Sequence, residues 1–388
     1  MSSQDFQLSS KNFEENYLLL NPSKNFLNLN IEKYVNIATQ EHLLPFKDFD
    51  YNKTTSVIID ITKGDFLQDM YLTFTTPILE KNGGTFACFT NTIGYALFSK
   101  FEMYIGEQMI LQKSSESFEM DFYFDNLKNV ENFDMVGKFV NINLLKQNAL
   151  SEKIIVVPLK LFFSEQLKNA LPIYLINKQE IRIDFTIKSF SELVNYDGFE
   201  PSVKKLNNVY LRTYFTNTEN SYKEILQTKQ LNKELIIPIE QDMTIYGDLE
   251  ENNSMYFTGP SKGLYFMILD PDSLSNNDFF NYSNNFEPII QNIRLIIDGV
   301  TIVEKTNEKI LRFLNSHRKL DSIYLRYIYF IPFFEIKNEL SGSLNFSSTS
   351  KQNLILEFNK TKTFKIRIIH KKINFLKIFH NQCQLIFN

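Results

Sequence analysis

The sequence predicts an all-β protein whose short antiparallel strands form two similar domains in tandem. Three observations support this prediction: apolar and polar residues alternate with a period of two, turn-forming clusters separate the alternating segments, and an internal repeat spans half the chain length. The 388 residues include 37 Phe and 19 Tyr, and aromatic side chains favour the half-buried surface of a pleated sheet. Many short strands joined by regular turns are typical of antiparallel sandwiches and jelly rolls.

The alternation is clearest in residues 180–188, where every second residue is apolar: Ile181, Ile183, Phe185 and Ile187. The same pattern predicts further strands at residues 101–105, 354–358 and 364–368. Turn-forming residues cluster between such segments at 81–84, 195–198, 258–263 and 341–343. Helical patterns are short, and the best candidates are residues 164–169, 220–227 and 307–317.

An internal repeat divides the chain into two halves. The segment KFEMYIGEQMIL (100–111) resembles NIRLIIDGVTIV (292–303), and each predicts two strands joined by a tight turn that contains glycine. A second pair follows in the same order, since VVPLKLFF (156–163) resembles YFIPFFEI (329–336). Both segments contain a proline, which confines a strand to a sheet edge, a strand start or a bulge. Two repeats in the same order predict a duplicated β-domain.

Charge and composition exclude several classes of protein. Lys plus Arg total 41 and Asp plus Glu total 45, so the chain lacks the strong basic excess that electrostatic binders of naked nucleic acid normally show. Two cysteines exclude a disulfide scaffold, and four scattered histidines form no metal motif. The N-terminus has no secretion-signal pattern, and no apolar run approaches the roughly 18 residues of a membrane span. We therefore expect no secretion signal, no metal and no cofactor.

No sequence motif indicates catalysis. The chain has no GxxxxGK[ST] phosphate loop, no GxGxxG segment and no serine in a GxSxG elbow. No histidine lies in a motif that would orient an imidazole against a nucleophile. The basic clusters at 204–205 and 365–372 alternate with apolar residues, so we interpret both as solvated strand faces. The sequence therefore predicts a protein that is not an enzyme.

Four segments between residues 89 and 388 resemble motifs of the double jelly-roll major capsid proteins of nucleocytoplasmic large DNA viruses and related smaller eukaryotic DNA viruses. They are FTNTIGYALFSKFEMYIGEQMI (89–110), VPLKLFF with NALPIYLINKQEIRI (157–163 and 169–183), IYFIPFFEIKNELSGSLNFSS (328–348) and INFLKIFHNQCQLIFN (373–388). The order and spacing of the segments make the set specific. The positions that carry the resemblance include Gly94, Gly106, Pro158, Pro172, Pro332, Ser341, Gly342, Asn345 and Phe346.

The resemblance implies two tandem eight-stranded antiparallel jelly rolls with short helices in their loops. We place an N-terminal arm at residues 1–25, the first jelly roll at 26–216 and the second at 217–388. The signature residues are expected to serve the fold. The glycines would provide positive φ or close backbone approach, the prolines would fix strand ends, and Phe346 would anchor a core.

The resemblance also implies a function. The chain would be a major capsid protein whose homotrimer forms a pseudo-hexagonal capsomer in the icosahedral shell of a DNA virus. Its partners would be neighbouring capsomers, penton and minor capsid proteins and an internal membrane beneath the shell, with no specific nucleic acid. It would be located in the virion after assembly inside the host cell.

Three alternatives remain open from the sequence. The first is a transient double jelly-roll scaffold of a membrane-containing virus, similar to the poxvirus scaffold. The second is a carbohydrate-binding jelly-roll module, which would need an aromatic platform and polar groups on one exposed face. The third is a jelly-roll lyase or cupin-type enzyme, and a cupin would need clustered His and Glu ligands that the sequence does not show.

Overall fold

The computed structural model describes residues 36–125, 130–139, 141–164, 167–221, 223–224, 234–284, 287–320, 326–336, 340–359 and 362–387. The predicted N-terminal arm, residues 1–25, lies outside the described residues. No helix in the described part of the chain combines the length and the apolar character that crossing a membrane requires.

The described part of the first half is dominated by strands. In chain order the elements are β1 (Ile37–Pro45), β2 (Thr54–Ile59), β3 (Phe66–Thr76), β4 (Ala87–Phe89), α1 (Ile93–Ala96), β5 (Phe98–Ile105), β6 (Gln108–Ser114), α2 (Ser115–Asp125), α3 (Ile142–Asn148), β7 (Lys153–Pro158), β8 (Ile181–Ile187), β9 (Val194–Tyr196) and β10 (Asn207–Thr218). Short 3-10 turns occupy Val130–Val136, Leu167–Asn169, Ile173–Leu175 and Phe190–Glu192.

The described part of the second half follows the same plan. Its elements are β11 (Leu235–Asp248), β12 (Asn252–Met255), β13 (Pro260–Leu269), α4 (Pro271–Ser275), β14 (Ile290–Ile297), β15 (Val300–Asn307), α5 (Glu308–Leu320), β16 (Ile328–Pro332), β17 (Leu344–Asn345), β18 (Gln352–Phe358), β19 (Lys365–Phe379) and β20 (Gln382–Leu385). A 3-10 turn at Phe346–Ser348 follows β17.

The main strands form four antiparallel sheets, two in each half. In the first half, sheet 1 has the order β1-β10-β3-β7 and sheet 2 has the order β2-β8-β5-β6. In the second half, sheet 3 has the order β11-β19-β13-β16 and sheet 4 has the order β12-β18-β14-β15. When strands are matched by their order along the chain, sheet 1 corresponds to sheet 3 and sheet 2 corresponds to sheet 4. The fold is therefore a double jelly roll, as predicted.

Both predicted sequence repeats occupy equivalent places in the two sandwiches. The first repeat forms the β5–β6 and β14–β15 hairpins, and each has a two-residue turn with a glycine at positive φ: Gly106 at 60° and Gly299 at 80°. The second repeat forms β7 and β16, which end at Pro158 and Pro332 and lie at the edges of sheets 1 and 3. Proline has no N–H to donate to a ladder. It is therefore tolerated on an edge strand, which has a neighbour on one side only, but not in the middle of a sheet.

Two hydrophobic cores follow from the alternation of side chains along the strands. In β8 the residues Ile181, Ile183, Phe185 and Ile187 are all buried in the first core, which confirms the prediction for residues 180–188. The second core lies between sheets 3 and 4 and includes the similarly alternating Leu354 and Leu356 of β18. Aromatic side chains fill much of both cores, consistent with the phenylalanine content of the chain.

The helices and turns differ from the prediction in several details. The predicted helix at 307–317 is α5, but in the described part of 164–169 the chain forms a 3-10 turn. The predicted turn at 258–263 is shorter, since β13 begins at Pro260 and pairs with β19 and β17. The predicted domain boundary at 216 falls inside β10, because Thr218 still pairs with Ile37.

His370 is buried in the second core without a hydrogen bond to either ring nitrogen. Its ring centroid lies 4.8 Å from that of Phe257 and 5.3 Å from that of Phe346. Burial, reinforced by the charge of Lys372, lowers the pKa of His370 from 6.5 to about 3. Between these two values the unfolded chain binds a proton that the folded chain does not.

We therefore expect stability to fall with falling pH below about 6.5, by up to about 1.4 kcal/mol per pH unit from this group. Replacing His370 with Leu should make the dependence of the unfolding free energy on pH shallower between pH 5 and about 6.5. The control is His317→Gln, because His317 is exposed on α5. Urea titrations at several pH values provide the measurement, and equal slopes for the parent and the His370 variant would contradict the prediction.

Candidate assembly surfaces

Sheet 3 is buried on both of its faces along β13 and the middle of β19. Along β13, Leu264 and Phe266 point into the second core, whereas Tyr265 and Met267 belong to the hydrophobic cluster that includes the first sandwich. The ring centroid of Tyr265 lies 5.7 Å from that of Phe124 on α2. The second sandwich is therefore docked on the first through the outer face of sheet 3.

Helix α2 occupies this contact and meets protein on two sides. On one side Phe118 packs against Phe101 of the first core, with ring centroids 5.3 Å apart. On the other side Ser117 and Asp121 face sheet 3, where Lys371 Nζ lies 3.4 Å from Ser117 Oγ and 3.0 Å from Asp121 Oδ2. Because apolar and polar residues are buried around the helix, it has no amphipathic stripe, and sequence periodicity did not predict it.

A network of four buried charges joins the two sandwiches. The first sandwich contributes Lys113 and Asp121, and the second contributes Asp242 and Lys371. The N–O distances are 2.6 Å for Lys113–Asp121, 3.0 Å for Lys371–Asp121, 3.1 Å for Lys371–Asp242 and 3.9 Å for Lys113–Asp242. Each ammonium therefore lies near both carboxylates, and each side chain is at least 85% buried. This arrangement balances two positive charges with two negative charges inside the contact.

The protonation equilibria reflect this balance. Burial opposes ionisation of Asp121, but the nearby ammonium groups of Lys113 and Lys371 outweigh it and hold the pKa of Asp121 below its ordinary value. Burial would likewise favour neutral Lys371, but Asp121 and Asp242 outweigh it and raise the pKa of Lys371. Both groups are therefore charged across the neutral pH range, and the contact is held by ion pairs.

A second buried charge crosses the same contact. The Glu119 carboxylate on α2 accepts hydrogen bonds from Lys138, at 3.3 Å, and from Arg326 of the second sandwich. Arg326 also donates to the carbonyl oxygen of Phe280 at 3.0 Å. Burial lowers the pKa of Lys138 to about 8 against the opposing effect of Glu119. Polar pairs as well as apolar packing therefore hold the two sandwiches together.

Side chains of the first sandwich also bind the backbone of β20. Gln179 accepts a hydrogen bond from the Cys383 N–H at 2.5 Å and donates one to the Cys383 carbonyl at 3.3 Å. Gln108 accepts one from the Leu385 N–H at 3.0 Å. These bonds attach the final strand of the second sandwich to the first sandwich and satisfy backbone groups at a sheet edge.

Several apolar side chains are exposed in the described part of the chain, and two groups of them lie on elements that the repeated strand order relates to the contact between the sandwiches. The first is on α5, where Ile310 and Leu314 are 55% and 49% exposed. The second is the outer face of sheet 1, which we define by Ile37, Leu43 and Ile154, at 51%, 47% and 75% exposure. Ile37 and Leu43 lie on the edge strand β1, which pairs with β10, and Ile154 lies on β7 at the opposite edge of the sheet. We call these surfaces the α5 stripe and the sheet 1 face.

Gly94 and Pro158 are brought together in the first sandwich. Gly94 lies in α1, where an added Cβ would be 2.8 Å from Val157 Cγ2 and 3.0 Å from the Val136 carbonyl oxygen. The hydroxyl of the adjacent Tyr95 donates to the Pro158 carbonyl at 2.9 Å. The absence of a side chain at Gly94 therefore allows α1 to approach the end of β7.

Gly106, Pro172 and Pro332 lie apart from that pair. Gly106 is the first residue of the β5–β6 turn, and its N–H donates to the Glu180 carbonyl at 2.8 Å. Pro172 precedes the 3-10 turn at Ile173–Leu175 and accepts from the Leu175 N–H at 3.1 Å. Pro332 ends β16 opposite Gly263.

The remaining signature residues lie in one connection between β16 and β18. Ser341 Oγ accepts from the N–H groups of Glu335 and Ile336, at 3.1 and 2.6 Å. Gly342 has φ of 158°, and an added Cβ would lie 2.8 Å from the carbonyl oxygen of Phe333. This tight connection positions the residues that follow it.

Asn345 and Phe346 complete this connection. Asn345 accepts from the Ser347 N–H at 3.0 Å and so caps the 3-10 turn. Phe346 is 1% exposed in the second core and packs against Phe257 and His370.

The prediction for the basic cluster at 365–372 is wrong at two of its lysines. Lys371 and Lys372 are buried, whereas a solvated strand face was predicted. Both faces of sheet 3 are covered at the middle of β19, so side chains on either side of the strand meet protein there. A signal was present in the sequence, since two lysines in the run IIHKKINF interrupt an otherwise apolar strand. The partners of Lys371, Asp121 and Asp242, are far away in sequence, and sequence spacing could not identify them.

Within the described ranges, no group of three or more His, Cys, Asp or Glu side chains could hold a metal ion. The polar groups that the fold brings together are instead ion pairs and backbone hydrogen bonds between the sandwiches. The arrangement can hold two modules in one orientation and present apolar surfaces to further protein.

Replacing Lys371 with Met should destabilise the protein by about 3–5 kcal/mol, because Asp121 and Asp242 would lose a buried partner. The matched control is Lys365→Met on the same strand, where the ion pair with Asp248 is exposed and contributes up to about 1 kcal/mol. Chemical denaturation measures both changes. Losses of similar size for the two variants would show that the buried network contributes no special stability.

Truncating Phe346 to Ala should cost about 3–5 kcal/mol through the cavity that it leaves. Gly342→Val should cost about 1–3 kcal/mol, because its side chain would collide with the Phe333 backbone. Ser343→Ala is the control, since Ser343 is exposed in the same connection. Thermal melts of the purified variants test both values, and parent-like melting of the first two variants would indicate an exposed contact loop instead.

Comparison with solved structures places the fold among viral capsid proteins. The crystal structure of PBCV-1 VP54, fitted into a cryo-EM reconstruction of the virophage Sputnik, has a TM-score of 0.78 at 16% identity, covering 94% of this chain and 100% of that one. The Faustovirus major capsid protein has a TM-score of 0.71 at 10% identity, covering 95% and 94%. The Sulfolobus Turreted Icosahedral Virus structure has a TM-score of 0.55 at 12% identity, covering 87% and 90%.

These identities show the fold, and the sequence itself supplies the family. No curated protein matches the sequence. Residues 26–218, about half of the chain, match the family model described as the major capsid protein N-terminus. That match covers every strand of the first sandwich, and the second sandwich repeats its strand order. The chain therefore belongs to the double jelly-roll major capsid proteins.

Proposed function

We propose that three copies of this major capsid protein form a capsomer with a pseudo-hexagonal outline. The observation that carries the proposal is the identical strand order of the two sandwiches, sheet 1 matching sheet 3 and sheet 2 matching sheet 4. Each chain supplies two modules of like shape, so three chains supply six. Six like modules arranged in a ring can tile a closed icosahedral shell next to other capsomers.

The packing within one chain supports a ring. The first sandwich contacts the second through β6 and α2 on one side and sheet 3 on the other. This contact joins two different surfaces, and repetition of such a heterologous contact closes into a ring when the rotation per module permits. The buried charges fix one docking orientation between the modules of a chain, which is a requirement for a regular capsomer.

The wider assembly belongs to the same proposal. Capsomers would meet neighbouring capsomers, penton and minor capsid proteins, and an internal membrane would lie beneath the shell. Assembly would take place inside the host cell. The family match favours a shell subunit over a carbohydrate-binding module, and recovery of the protein in purified mature particles would separate a shell subunit from a transient scaffold.

We expect the purified protein to be a homotrimer of three 45.7 kDa chains. Light scattering coupled to size exclusion, at micromolar concentrations, measures the mass directly. Negative-stain class averages of the same fraction should show a six-lobed outline. A monomeric mass throughout the micromolar range would contradict the proposal.

A further inference from the structure

Two surfaces meet where the sandwiches of one chain make contact. Because the strand order repeats, each of these surfaces has an equivalent elsewhere in the chain, and both equivalents carry exposed apolar side chains. In the first sandwich, the β5–β6 hairpin leads into α2, and α2 covers the outer face of sheet 3. In the second sandwich, the β14–β15 hairpin leads into α5 at the same point of the strand order. The surface equivalent to the outer face of sheet 3 is the sheet 1 face. Each open surface is thus the counterpart of one that is already paired within the chain.

The α5 stripe points away from its own sandwich. On the inner side of the helix, Leu311 is buried, and Arg312 pairs with Glu308 at 3.2 Å with both side chains at most 5% exposed. Ile310 and Leu314 are four residues apart and therefore lie on one exposed side of the helix. The helix is held by its inner side, so its outer side is free to contact another chain without rearrangement.

The sheet 1 face likewise has exposed apolar side chains in the described part of the chain. Its apolar residues flank aromatic and charged groups of β3, β10 and β1. Tyr71 and Tyr214 have ring centroids 5.7 Å apart, and Arg212 is paired with Glu41. The equivalent face of sheet 3 is buried along most of β13 and β19. Among the described residues, one face has helix α2 against it and the other has no helix against it, which accounts for the difference in exposure.

We propose that the α5 stripe of one copy docks on the sheet 1 face of the next copy, in the manner of α2 on sheet 3. The occupant is a second copy of this chain, and the inference rests on the proposed trimer. Each copy would offer one α5 stripe and one sheet 1 face, so three contacts of the same kind close the ring. The contact is mainly apolar, in contrast to the ion-paired contact within the chain.

The first test is the double variant Ile310→Glu with Leu314→Glu. We expect it to melt like the parent and to weaken trimer association at least a hundredfold, as measured by analytical ultracentrifugation across a concentration series. The opposite surface is tested by Leu43→Glu with Ile154→Glu, for which the same loss is expected. The matched control is Ile58→Glu, since Ile58 is 53% exposed on β2 of sheet 2, and it should remain trimeric.

A mixing experiment tests the pairing of the two surfaces. Each double variant alone should be monomeric, but each retains one intact surface. An equimolar mixture at high concentration should therefore yield heterodimers and no larger species, because the two surfaces left over are both altered. Native mass spectrometry distinguishes the heterodimer by the mass of its substitutions.

The inference is overturned if the α5 variant stays trimeric, or if the Ile58 control dissociates to the same extent. It is also overturned if the mixture forms no heterodimer at concentrations where the parent trimer is complete. If the parent is trimeric and any of these results is obtained, the proposed function stands and the contact between copies lies elsewhere on the chain. A monomeric parent contradicts the proposed function itself.

Discussion

Burial of sheet 3 on both faces is the constraint on which the rest of the structure depends. An antiparallel sheet ordinarily has one apolar face and one solvated face. Here β13 and β19 carry long runs of buried residues because the second core covers one face and α2 with β6 covers the other. The two sandwiches consequently share a continuous apolar cluster, and the orientation of one relative to the other is set by packing as well as by chain connection.

Two-sided burial explains why charged residues lie inside this contact. An apolar contact alone tolerates small shifts, whereas a buried ammonium or carboxylate without its partner is strongly unfavourable. Lys113, Asp121, Asp242 and Lys371 satisfy one another in one docking arrangement, and any slip would leave a charge unpaired. The network therefore disfavours other docking arrangements of the two sandwiches. A regular shell requires such uniqueness, since an angular error within each chain would be repeated in every capsomer.

Duplication of the jelly roll connects this internal contact to the function. Because both sandwiches have the same strand order, a surface that is paired inside the chain has an equivalent that is not. The paired surface carries α2, and the equivalents with exposed apolar side chains among the described residues are the α5 stripe and the sheet 1 face. Their exposed isoleucine and leucine side chains are the ones that the proposed docking between copies would cover. The chemical difference between the two contacts also has a consequence. The ion-paired contact forms within one chain during folding, whereas the proposed apolar contact would form between separate molecules.

The sequence by itself determined the strands, the two hairpins with glycine turns, the duplication and the family, because alternation, turn residues and short motifs are local properties. It also limited Pro158 and Pro332 to a sheet edge, a strand start or a bulge, since proline cannot donate to a ladder, and the tertiary structure places both on edge strands. Helix α2 escaped prediction because burial on two sides removes its periodicity, and Lys371 was misjudged because its partners lie about 130 and 250 residues away in the chain. Which lysine is solvated and which is buried depends on what covers each face of a sheet. That is decided when the sandwiches pack together, and hence by the tertiary structure alone.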